Sequence, residues 1–102
     1  MFDLNLKVGS YKDCHFDKSG SGKDTRYMIV NANDTGPVCI INVLHPCVPE
    51  GCIAVKDYSE NAGVESELKR LGVIPEGYVS SFMTGYATCN VYEFDEEKAM
   101  SL

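Results

Sequence analysis

A small α+β domain is the fold class this sequence predicts: a twisted antiparallel sheet of five or six strands with one amphipathic helix packed on one face. Three observations predict it. The chain has 102 residues, enough for one domain and not two, so residues 1–102 read as a single α+β unit. Its opening alternates apolar and polar residues, which is strand periodicity. Only the stretch 59–71 carries convincing helical spacing. Composition fits a packed core, with 44% hydrophobic and 24% charged residues, and argues against wholesale disorder. No apolar run approaches the roughly 18 residues of a membrane helix. The first residues have neither a basic start nor a continuous apolar stretch, so no secretory signal is expected.

Phe2, Leu4, Leu6 and Val8 share one face, and Asp3, Asn5 and Lys7 the other, which makes a half-buried first strand. Gly9-Ser10 is read as a turn or bulge, and Tyr11 to Phe16 as the returning strand. Lys18 to Asp24 is small, polar and glycine-rich, an exposed loop. Arg26 to Val30 and Val38 to Leu44 form a hairpin around the turn chemistry of Asn31 to Pro37. Both arms are apolar on both faces, which places the hairpin at the centre of the sheet. His45 to Cys52 holds two prolines and a glycine and is irregular; Ile53 to Lys56 resumes as a short strand.

In the helix Ser59 to Leu71, Val64, Leu68 and Leu71 recur at i, i+4 and i+7. Ser59 or Asn61 is the expected N-cap, Lys69 and Arg70 suit the last turn, and Gly72 follows as the C′ residue. Gly63 inside the first turns is expected to cost about 1 kcal/mol. Two strands close the fold, Tyr78 to Phe82 and Tyr86 to Phe94. The end, Asp95 to Leu102, is a frayed tail or a short helix.

Charge narrows the function. Fifteen acids oppose nine bases, a net charge of −6. Residues 1–58 carry seven acids and six bases, net −1, and residues 59–102 eight acids and three bases, net −5. Direct nucleic-acid binding needs clustered Lys and Arg and is not expected. An acidic field instead suits a basic protein cleft. Five cysteines, an odd number without a signal peptide, point to free thiols in a reducing cytoplasm.

Three motifs resemble chemical sites, and none is convincing. His45-x-Cys47-x4-Cys52, with Cys14-His15 to complete it, offers soft zinc ligands, but the spacing is not that of a zinc knuckle, Pro46 and Pro49 already rigidify the loop, and simple packing explains it better. A cysteine nucleophile is the second: Cys14 and His15 are strand neighbours that point to opposite faces, while His45 and Cys47, two apart, can share a side but have no catalytic motif around them. Gly20-x-Gly22-Lys23 lacks the first glycine and the hydroxyl residue of a phosphate loop. No catalytic residue, metal or other cofactor is expected, and no enzyme. The binding candidates are Tyr86, Tyr92, Glu93, Asp95, Glu96 and Glu97: tyrosines flanked by carboxylates, which fit a protein-binding surface better than a base-stacking platform. The same aromatics also suit a face packed against the helix. Monomer and homodimer both remain open.

From Ile53 to about Phe94 the chain resembles a family of small uncharacterised proteins carried on plasmids, phages and conjugative elements of bacteria. The resemblance rests on a short strand, the run Lys56-Asp57-Tyr58-Ser59-Glu60-Asn61, the helix, and Leu71-Gly72-Val73-Ile74. It departs from the family pattern at Gly63-Val64 and in the short connection after the helix. The resemblance implies a mobile-element origin and a host bacterial cytoplasm. By analogy with type II anti-CRISPR inhibitors of similar size and sign, it implies an anti-defence protein that binds a CRISPR effector nuclease and blocks guide RNA or target DNA loading. The alternative is an accessory interaction module of a plasmid or phage with no inhibitory role.

Overall fold

The computed structural model describes residues 1–32, 37–85 and 87–102. The opening alternation becomes β1 (Phe2–Leu6), buried and exposed by turns. β2 (Gly9–Ser19) returns antiparallel to it, with a bulge between the Phe2–Cys14 and Leu4–Tyr11 pairs. Asp13 takes a φ of 56° at that bulge. β2 runs past the expected Phe16 into the glycine-rich segment, whose remainder holds one 3-10 turn, Gly22–Asp24. β3 (Arg26–Asn31) and β4 (Pro37–Ile40) complete a first sheet of order β1-β2-β3-β4. The Asn31 to Pro37 turn falls largely outside the described residues.

A second antiparallel sheet contains β5 (Asn42–Val43), β6 (Cys52–Val55), β7 (Ser80–Thr84) and β8 (Ala87–Glu93), in the order β5-β6-β8-β7. The fold is thus α+β with two four-stranded sheets, where the sequence predicted a single one of five or six strands. The cause lies at Ile41 and Asn42. The apolar run Val38 to Leu44 reads as one strand, but its two halves serve different sheets. Ile41 N–H donates to Tyr27 C=O in the first sheet, while Ile41 C=O accepts Lys56 N–H beside the second. Asn42 is buried, and its side chain accepts Tyr27 N–H at 2.8 Å and donates to Thr25 C=O at 3.1 Å. A side-chain amide here replaces ladder hydrogen bonds, which satisfies backbone groups where the sheet divides. The β3–β4 hairpin is therefore not central, and β4 is the last strand of its sheet.

The main core lies between the sheets and the helices. Leu4, Ile29, Ile41, Val55, Leu68 and Tyr92 are among its fully buried members. A smaller cluster on the other face of the second sheet centres on Ala54, Cys89 and Val91 and is covered in part by Val48 of the irregular loop.

Helix α1 (Val64–Arg70) is shorter than expected and follows a separate 3-10 turn, Ser59–Asn61. Neither Ser59 nor Asn61 caps it. The N-cap is Gly63, at a φ of 102°, so this glycine enables the entry turn instead of weakening the helix interior. Asp57 supplies the cap from outside, its carboxylate accepting Gly63 N–H at 2.9 Å and Glu65 N–H at 2.8 Å. The far end matches expectation: Gly72 N–H donates to Lys69 C=O and Val73 N–H to Leu68 C=O, a Schellman closure. Val64 and Leu68 are fully buried and Leu71 partly.

α1 lies along the outer edge of β1. Asn5 N–H donates to the Glu67 carboxylate, Lys7 N–H to Ala62 C=O, and Arg70 to Asp3 C=O. Asp3, Asn5 and Lys7 share one strand parity, so this segment occupies the place of a missing strand. The chain ends in a short second helix, α2 (Glu96–Ser101), capped by Asp95. Among the described residues no helix is long and apolar enough to cross a membrane.

Candidate functional site

The acidic cluster stands where β8 runs into α2. Glu93, Asp95 and Glu97 are exposed and Glu96 is half-buried. Two of the four have structural duties. Asp95 accepts Lys98 N–H at 3.0 Å and caps α2. Glu96 pairs with Lys18 at 2.5 Å and so ties α2 to β2. The hydrogen bond from Lys18 holds the Glu96 carboxyl below the usual carboxylate range. Glu93 and Glu97 are left as the freely presented charges of the four.

The fold adds a fifth acid that the sequence reading missed. Phe94 N–H donates to Gly51 C=O at 3.0 Å, and Cys52 faces Glu93 across the β6–β8 ladder. Exposed Glu50 is thereby brought to the end of the sheet that carries Glu93 and Asp95. The signal was the Pro49-Glu50-Gly51 turn, but nothing in the sequence says which strand end it meets.

Tyr92 does not join this surface. Tyr92 is 1% exposed, a core residue and not a contact for a partner. Its hydroxyl donates to Glu65, and Lys69 Nζ lies 5.4 Å from the ring centroid. Burial, then the bond to Glu65, pushes its phenol up. Residue parity explains the outcome. In β8, Cys89 and Val91 face the smaller cluster, whereas Tyr92 faces the main core. Tyr86 lies outside the described residues.

Beside the acidic end is a cavity of about 480 Å³, within the size range of small-molecule pockets. Its walls include Lys18, Tyr27, Asn42, His45, Phe94 and Glu96, and Glu50 also reaches it. Tyr27 and Phe94 pack with ring centroids 4.6 Å apart. Burial, together with nearby Glu96, raises the Tyr27 phenol. Tyr27 therefore stays protonated at neutral pH and can donate a hydrogen bond, whereas the Glu96 carboxylate is charged and accepts.

The suspected zinc ligands are not assembled. Among the described residues, no three His, Cys, Asp or Glu side chains converge in a way that could hold a metal ion. His45 stacks on Phe82 with centroids 4.0 Å apart, and its Nδ1 accepts Cys47 N–H at 3.1 Å. That bond fixes the ring as a turn element. Cys14 lies in the main core. Burial raises the thiols of Cys14, Cys52 and Cys89, and that of Cys39 to about 11. These four thiols are protonated at neutral pH, and the thiolate is the nucleophile and metal ligand.

Compared with known proteins, the chain matches no family model, no curated protein and no solved structure.

Proposed function

We propose that this chain is a cytoplasmic anti-defence protein that acts by binding, without catalysis of its own. Its partner is a basic nucleic-acid-handling protein, and the resemblance of residues 53–94 to mobile-element proteins makes a type II CRISPR effector nuclease the target of choice. The observation that carries the reading is that exposed Glu50, Glu93 and Asp95 stand at one end of the second sheet, with exposed Glu97 following in the first turn of α2. Clustered carboxylates offer a basic groove the same sign of charge as nucleic-acid phosphates.

The test is DNA cleavage by a purified type II effector, with this protein titrated in before or after guide RNA is loaded. Inhibition confined to addition before the guide assigns the block to guide loading. Equal inhibition in both orders assigns it to the target-DNA channel or the nuclease domains. The matching variant is Glu50→Lys with Glu93→Lys and Glu97→Lys, which spares capping Asp95 and paired Glu96. It should weaken inhibition at least about 10-fold, and added salt should weaken the wild type. No inhibition in either order overturns the proposal and leaves the accessory interaction module.

A further inference from the structure

Among the described residues one sheet edge is left open. Three of the four terminal strands are engaged at their outer sides. β1 is closed by Glu67 and Arg70 of α1 and by Ala62 just before it. β4 meets the 3-10 turn before α1, where Asn61 Nδ2 donates to Ile40 C=O at 2.6 Å. β5 adjoins the first sheet through Asn42. β7 pairs with β8 alone among the described residues. Within β7, Met83 is 65% exposed; just before it stand Val79, 52% exposed, and Tyr78, 57% exposed with its ring edge-on to Tyr92.

Exposed edges are ordinarily blunted by lysine, proline, a bulge or an inward charge. β7 has none of these. Its register with β8 is unbroken from Ser80–Val91 to Thr84–Ala87. From Gly77 to Tyr92 the sequence contains no Asp, Glu, Lys, Arg or His, in a chain of net charge −6.

We propose that β7 is a self-association edge: two copies of this chain pair antiparallel, β7 against β7, and extend the second sheet across a two-fold axis. The charge distribution selects the occupant. A basic partner is steered to the acidic end of the sheet and finds no carboxylate along β7. A second copy carries the same −6 and is repelled by most of the surface, but not by this neutral hairpin. A two-fold pairing is isologous, so the same patch must suit itself. Ser80, Ser81, Phe82, Met83 and Thr84 do so, because no pairing of them sets like charges together. The inference is independent of the target proposed above.

The test is sedimentation of the full chain from about 10 μM to about 1 mM, a range chosen because an edge pairing is smaller than a standard interface and its affinity correspondingly modest. Reductant is kept present so that the exposed Cys47 cannot link two chains. The expected result is a shift toward twice the monomer mass, with amide exchange in Ser80–Thr84 slowing as concentration rises. Met83→Lys and, separately, Ser81→Lys should each weaken association about 100-fold, since each places like charges on both sides of the axis. A wild type that stays monomeric throughout overturns the proposal. So does a dimer that survives both lysine variants with β7 exchange independent of concentration.

Discussion

The Glu67 carboxylate accepts the Asn5 backbone N–H at 2.6 Å across 62 positions of sequence. The same carboxylate receives Arg70 at 2.9 Å. Glu67 is only 8% exposed. A half-helical segment thereby closes a strand edge, and one side chain links strand, helix and guanidinium. Glu67→Ala orphans the Asn5 N–H and leaves Arg70 without its charge partner. It should cost about 1–3 kcal/mol, read by chemical denaturation at neutral pH.

The same residue gives a pH signature. Burial alone would raise the Glu67 carboxyl, but the bonds from Arg70 and Asn5 outweigh it and hold the group below its ordinary 4.5. A carboxyl lowered on folding contributes stability above its unfolded value. That contribution shrinks as pH falls from 4.5 and is gone once pH passes below the folded value. Glu67→Gln should therefore flatten the acid limb of the stability curve, measured by denaturation at steps below pH 5. An unchanged limb would assign acid unfolding to other carboxylates.

Gly63 carries a prediction whose sign reverses the one drawn from the sequence. In a helix interior, glycine to alanine stabilises by about 1 kcal/mol. Gly63 instead has a φ of 102°, and space is not what forbids a side chain: a Cβ here would stand 3.6 Å from Leu6 Cα and from Lys7 N, ordinary contact distances. Backbone strain decides, and Gly63→Ala should destabilise by about 1–2 kcal/mol. A rise in melting temperature would reject the left-handed entry turn.

Asp57 bonds two of the first free N–H groups of α1. Asp57→Ala should cost about 1–2 kcal/mol, with exchange of the Gly63 and Glu65 amides accelerated more than that of β6. Loss spread evenly over the molecule would deny Asp57 a local capping role.

Leu68 is fully buried in the main core. Leu68→Ala should remove about 2–5 kcal/mol of stability, seen as a lower denaturation midpoint. An unmoved midpoint would mean that α1 does not bury this face.

Much of the fold was legible where one physical signal acted alone. β1 was plain from strict alternation, and the buried face of α1 from Val64, Leu68 and Leu71. The division into two sheets was not, because an asparagine within an apolar run marks a loop, a bulge or a bridging amide equally well. Asn42 is the last of these only because Thr25 and Tyr27 stand opposite it. The candidate site was half legible. Glu93, Asp95 and Glu97 are exposed as their charge requires, whereas Tyr92 is amphipathic and suits core or surface. Its burial depends on Glu65 and Lys69, which a helix brings from elsewhere in the chain.

The latch on β1 also sets a schedule for biosynthesis. Asp3 waits for a guanidinium 67 residues downstream. At ordinary elongation rates that interval is about 3–13 s. Throughout it the first strand has left, or is leaving, the ribosome with its outer backbone groups unclaimed. Until Arg70 has emerged, the outer backbone groups of β1 lack their full set of native partners.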